Sequence, residues 1–211
     1  CFFHRGVGNF VIQGGGFRVG NRSDVTNFTV NAVPSYPPIT NEFKVGPFYS
    51  NVYGTIAMAK TSDPNSATSQ FFINLANNSS SLDNTNNSGG FTVFGRVVGG
   101  TNVLNQLNAA HSTAAILLVN AGVVFAELPV VKAFTGPSIE SNELVYLDVS
   151  VLAVGIKLLA GGAREISWSS VSNRVNHVEY TTNFPPVWES LVATNGNGSQ
   201  IKVSDTSAAS P

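Results

Sequence analysis

The sequence predicts a mainly β chain in two parts: a larger antiparallel β domain with one short helix, then a smaller β-sandwich-like module. Three observations carry this. Short apolar stretches alternate with polar or small residues at the period of a strand, as at Phe10–Gln13, Ile56–Met58 and Leu144–Leu152. The 20 glycines and 10 prolines, with many Asn, Ser and Thr between the stretches, supply the residues that turns require. Helical spacing of apolar residues is confined to Val97–Asn108.

In order, residues 1–17 read as a strand, a tight turn at Gly6–Asn9 and a second strand, with Phe10 and Ile12 on one face and Val11 and Gln13 on the other. The Gly14-Gly15-Gly16 triplet then turns the chain with positive φ; no helix and no Lys-Ser/Thr follows, so it is not a phosphate cradle. Residues 18–53, interrupted by Pro34, Pro37, Pro38 and Pro47, form a long surface excursion. From Gly54 to Phe72, Ile56 and Met58 lie on a strand, Thr61–Thr68 is a polar loop, and a second strand begins at Phe71. Ala59 and Lys60 on one side and Gln70 and Phe72 on the other then wall a groove. A helix is expected over 101–109 with Thr101 as its N-cap. Leu144–Leu152 is the last strand of the larger domain, with Asp148 turned to solvent.

After Gly155 the character changes. The larger domain is placed at 1–155, a linker at 156–162 around Gly161-Gly162, and a small β module at 163–211 with strands at Glu165–Trp168, Val175–Thr181, Val187–Ala193 and Ile201–Val203. Trp168, Tyr180 and Trp188 read as its packed aromatics.

A hydrophobic content of 43% is enough for a core, while charged residues are only 11%, against roughly a quarter in ordinary proteins. With a net charge of −1 and no basic run interleaved with aromatics, neither nucleic acid nor an anionic membrane is implied as a partner. The Asn/Thr-rich surface points to an exported protein, periplasmic, cell-surface or extracellular, and the chain reads as a monomer. Cys1, the single cysteine, excludes an intrachain disulfide. No apolar run approaches the ~20 residues of a membrane span; Ala114–Phe125 is short, broken by Asn120 and Gly122, and reads as a buried strand or turn. The chain opens on Cys1-Phe2-Phe3 as a strand under way and ends on a β pattern without a closing strand, so a longer parent is expected.

Three blocks, FFHRGVGNFVIQGGGF at 2–17, GTIAMAKTSDPNSATSQFF at 54–72 and LDNTNNSGGFTVFGRVV at 82–98, together resemble the cyclophilin family of peptidyl-prolyl isomerases, most closely its bacterial branch. The resemblance covers residues 1–152. It implies an antiparallel eight-stranded β-barrel with a helix at each end, here without the strands that precede the Phe-His-Arg motif. It also implies rotation of X–Pro bonds in proline-containing polypeptides, without cofactor or metal. Arg5 matches the family's catalytic arginine, and Gln13 and Gln70 its glutamines, one steadying the arginine and the other contacting substrate. Phe10, Phe72 and Leu82 match the proline pocket, with Val11 where Met is frequent; Ala59 and Lys60 match positions that pair with the peptide backbone. Ser81 stands where the eukaryotic pattern has Trp and Phe91 where it has His, which implies weakened cyclosporin-type binding.

The residue types suit that chemistry. An X–Pro amide resists rotation by about 18–20 kcal/mol through its partial double bond. A catalyst needs an apolar seat for the ring and a donor aimed at the nitrogen as it pyramidalises. A non-catalytic module that holds proline segments is the alternative reading, and it has less need of Arg5. His4, His111 and His177 lack metal-ligand spacing, and the Asp83–Gly89 loop lacks the acids of a calcium site.

Overall fold

The computed structural model describes residues 1–109, 116–131, 134, 136, 138–149, 153–172, 175–180 and 189–205. The chain divides into two compact units, Cys1–Asp148 and Val149–Pro211. In the first, the alternating stretches become β1 (Arg5–Val7), β2 (Val11–Gly14), β3 (Phe17–Val19), β4 (Val30–Ala32), β5 (Thr55–Met58) and β6 (Phe71–Asn74). A one-turn helix α1 (Ser79–Leu82), β7 (Val93–Arg96), α2 (Thr101–Asn108), β8 (Ile116–Val119) and β9 (Leu128–Val131) follow.

Five strands form one antiparallel sheet in the order β1-β2-β6-β5-β7, beside two-stranded β3-β4 and β8-β9 ladders. Two rows of side chains cross the large sheet. One runs Gly6, Ile12, Ile73, Ile56, Gly95 and faces α2, where Ile12 and Ile73 pack with Phe3, Leu75, Leu104, Leu107 and Ile116. Leu104 and Leu107, three apart on α2, are both buried, as an amphipathic helix requires. A separate cluster of Phe2, Leu128, Val130 and Leu144 fills the space beneath β8 and β9.

Several expectations are corrected. The first turn falls at Gly8–Phe10 rather than Gly6–Asn9, so Arg5 opens a strand that continues to Val7 instead of ending one. Among the three glycines of the triplet only Gly15 takes positive φ (+79°). The N-cap of α2 is Gly100 in the left-handed region, with Thr101 the first helical residue. Leu144 and Tyr146 make single bridges to Val130 and Phe2 instead of a full strand, and residues 150–152 lie outside the described ones. Asp148, expected to be merely solvated, pairs with Arg22 at 2.9 Å, and that bonded guanidinium holds its carboxyl below the usual range.

The second unit contains β10 (Val154–Leu158), β11 (Arg164–Ser169), β12 (Val175–Tyr180), β13 (Glu189–Asn195) and β14 (Gln200–Asp205). They form a β10-β11-β14 sheet and a β12-β13 pair. The expected linker at 156–162 is instead the β10 half of a hairpin and its turn: Lys157 opposes Glu165, and Leu159 N–H donates to the Ala163 carbonyl at 2.8 Å. Gly161, at φ +80°, supplies the reversal that the glycine pair had suggested as a flexible joint. Trp168 is buried; Trp188 and the Tyr180 side chain lie outside the described residues. No described helix is long and apolar enough to cross a membrane.

Candidate active site

The second row across the large sheet runs Arg5, Gln13, Phe72, Ala57, Val93, each directly opposite the next. Opposed residues share a face, so four chain segments distant in sequence deliver one line of side chains, with strands about 4.8 Å apart. Val11, Ala57, Phe72, Leu82 and Phe91 pack together on this face, with Phe10, Ala59 and Val93 at its edge.

A cleft of about 220 Å³ opens over the row, lined by Arg5, Phe10, Val11, Gln13, Ala59, Lys60, Phe72, Leu82, Asn87 and Phe91. The structure thus gathers nine of the ten residues singled out in the sequence. The tenth, Gln70, stands behind Gln13 and accepts its Nε2–H at 2.7 Å. Asn87 was not anticipated. The apolar floor is rigid, since Phe72 and Phe91 meet edge to face at 5.7 Å and the Phe91 N–H donates to the Leu82 carbonyl at 2.8 Å. A larger cavity of about 990 Å³ lies along the β7 edge between Tyr49–Thr55 and Val93–Val97; apart from tyrosines, Arg96 is its one ionisable residue.

Arg5 is anchored by Glu127, its Nε donating to Oε2 at 2.9 Å, with both side chains 42% exposed. Neither glutamine holds the guanidinium, contrary to the role expected of one of them. Among the described residues nothing pairs with its two terminal NH2 groups. Behind the glutamines, His4 is buried and meets Phe17 edge to face at 5.0 Å. Burial lowers its pKa from 6.5 to about 4, with the nearby Arg5 charge acting the same way, so the imidazole is neutral near pH 7. Gly16 makes room for Gln70 and His4, because a methyl there would lie 3.0 Å from Gln70 Cδ and 3.1 Å from His4 Cε1.

Lys60 lines the cleft, and its Nζ donates to the carbonyls of Ser88 at 2.8 Å and Gly90 at 2.5 Å and lies 4.8 Å over the Phe91 ring. Burial lowers the pKa of this ammonium. The loop can present two carbonyls to one ammonium because Ser88, Gly89 and Gly90 all take positive φ, at 50°, 74° and 79°. The Ala59 N–H is engaged within the sheet, donating to Gln70 O at 2.9 Å.

Three buried amides tie the two ends of the cleft together. Asn78 Nδ2 donates to the carbonyl of Phe10 and to Asn74 Oδ1, both at 2.7 Å. Asn74 Nδ2 donates to Asn51 Oδ1 at 3.1 Å, and Asn51 Nδ2 to the Phe91 carbonyl at 2.7 Å and to Asp83 Oδ1 at 2.8 Å. Asp83 also accepts from Ser50 Oγ. Sequence reading missed all of these, since buried Asn cannot be told from surface Asn in a chain this rich in it.

The sequence model of the family described as cyclophilin type peptidyl-prolyl cis-trans isomerase/CLD matches residues 1–123. The chain belongs to this family. A relative from Acinetobacter baylyi, named peptidyl-prolyl cis-trans isomerase, is 45% identical over 112 residues, 53% of this chain and 53% of that protein. Peptidyl-prolyl cis-trans isomerase A of Dickeya dadantii is 42% identical over 110 residues, 52% of each. The chain therefore spans about half the length of the relatives it matches. A crystal structure of a cyclophilin type isomerase from Cryptosporidium parvum superposes loosely, with a TM-score of 0.35 and 24% identity over 53% of this chain and 63% of that one. All ten predicted site residues lie within the stretch matched to the cyclophilin family, whereas Glu127 and the second unit lie beyond it. His111 falls outside the described residues, and among those described no three His, Cys, Asp or Glu side chains are grouped to hold a metal.

Proposed function

We propose that this chain is a peptidyl-prolyl cis–trans isomerase that rotates X–Pro bonds in unfolded or exported polypeptides and so assists their folding. The observation that carries the reading is a guanidinium whose terminal N–H groups have no partner among the described residues, beside an apolar floor in one small cleft. The proline ring seats on Phe72, Leu82 and Phe91, which strips water from the amide. Arg5 donates to the prolyl nitrogen as it pyramidalises, favouring the twisted state in which resonance is lost. Gln13, fixed by Gln70, binds the adjoining peptide group, and Ala59 and Lys60 border the path of the peptide. Rotation breaks no covalent bond, so no nucleophile, metal or cofactor is required.

Exchange NMR of cis–trans interconversion in an Ala-Pro-Phe peptide tests this. The chain accelerates exchange, and Arg5→Ala lowers the acceleration about 10²-fold, the order expected for removing a transition-state donor. A folded sample that leaves exchange at its spontaneous rate overturns the reading and leaves a proline-binding module. The low charge and Asn/Thr-rich surface support export as a bacterial monomer; recovery of the protein in the cytosolic fraction of its native host would count against export.

A further inference from the structure

We infer that Glu127 is the positioning residue of the groove, setting the plane and direction of the Arg5 guanidinium; this rests on the isomerase reading. Glu127 lies beyond residues 1–123, so the carboxylate that grips the arginine comes from outside the stretch matched by the family's sequence model.

Three features make it a fixed grip. The Gly6 N–H, next in the chain to Arg5, donates to the Glu127 backbone carbonyl at 2.8 Å, so backbone and side chain of Glu127 hold consecutive residues of β1. Leu128 and Pro129, immediately after it, are buried. Gly6 permits the approach, since a Cβ there would lie 3.0 Å from Leu118 Cδ2 and 3.2 Å from Pro129 Cγ. The carboxylate takes Nε, the donor nearest the arginine's own stem. A bond there fixes rotation of the planar fork and leaves both terminal NH2 groups for a ligand. Because both side chains are 42% exposed, the pair contributes little to folding, and its consequence is geometric.

The test follows wild type, Glu127→Gln and Glu127→Ala through the same peptide exchange and through 15N-edited spectra of arginine side chains, with Arg5→Lys assigning the Arg5 Nε–H. In the wild type that signal is sharp and moves when the Ala-Pro-Phe peptide binds. In Glu127→Ala it broadens and no longer follows the peptide, although the Phe72 and Phe91 ring signals still report binding with affinity within about twofold. Turnover falls about tenfold, in keeping with the sensitivity of catalysis to small misplacements. Glu127→Gln, which keeps an oxygen acceptor, falls between. Wild-type turnover in a folded Glu127→Ala, an unchanged Arg5 signal, or equal losses of affinity and turnover in both variants would overturn the inference. Should the wild type itself fail to turn over peptide, the isomerase reading falls, and the Arg5 response to bound peptide decides the role of Glu127 alone.

Discussion

The two faces of the five-stranded sheet are drawn from alternate residues of the same strands, yet they obey different rules. On the α2 side, Ile12, Ile73 and Ile56 pack in a cluster with Phe3, Leu75, Leu104, Leu107 and Ile116. On the other side the row one residue along runs from a charged guanidinium through an amide to an aromatic ring. One face secures the fold and the other holds the groove, so damage to each should be separable.

The largest effect comes from breaking the apolar face. Ile12→Ala should cost about 3 kcal/mol in urea unfolding, and any loss of turnover should track the unfolded fraction. Arg5→Ala should do the reverse, removing turnover while stability stays within about 0.5 kcal/mol. Equal stability losses in the two variants would erase the distinction.

Acid sharpens it from behind the groove. His4 titrates near 6.5 when unfolded and about 4 when folded, so the unfolded chain binds the extra proton between these values. Stability from the neutral buried imidazole is therefore fully present above pH 6.5 and is lost as pH falls towards 4. The total is on the order of 3 kcal/mol. Unfolding free energies measured across this window should slope in the wild type and flatten in His4→Gln; parallel slopes would show that other groups cause the acid loss.

The smallest effect lies at the groove edge. Lys60→Met removes both bonds to the Ser88–Gly90 turn and should cost about 1 kcal/mol. The Phe91 ring signals should broaden and peptide affinity fall a few-fold. Unchanged line widths would show that the turn holds its shape without the ammonium.

These features were unevenly legible beforehand. Arg5, Gln13 and Phe72 could be read because motif and strand period agreed: residues on one face must alternate, and the motif supplied the partners. Glu127 could not, since a lone acid in a loop has no period and its value depends on a contact 122 residues away. Asn51, Asn74 and Asn78 were hidden by composition, their role resting on burial, which amide chemistry does not announce. The Gly161-Gly162 pair was read as a joint because glycine serves linkers and hairpins alike; the decisive signal was the alternation of Val154, Ile156 and Leu158 on one side of it.

Because the groove is one row of a hydrogen-bonded ladder, its ancestry tolerates some changes and forbids others. Insertions at the exposed residues 44–48 of the excursion between β4 and β5 leave every strand pairing intact, so that stretch is free to drift in length and acquire new surface chemistry. A single residue gained or lost inside β2 or β6 would turn Gln13 or Phe72 to the opposite side of the sheet and set isoleucines in the groove. The groove face is in that sense inherited as a count of residues as much as a set of side chains.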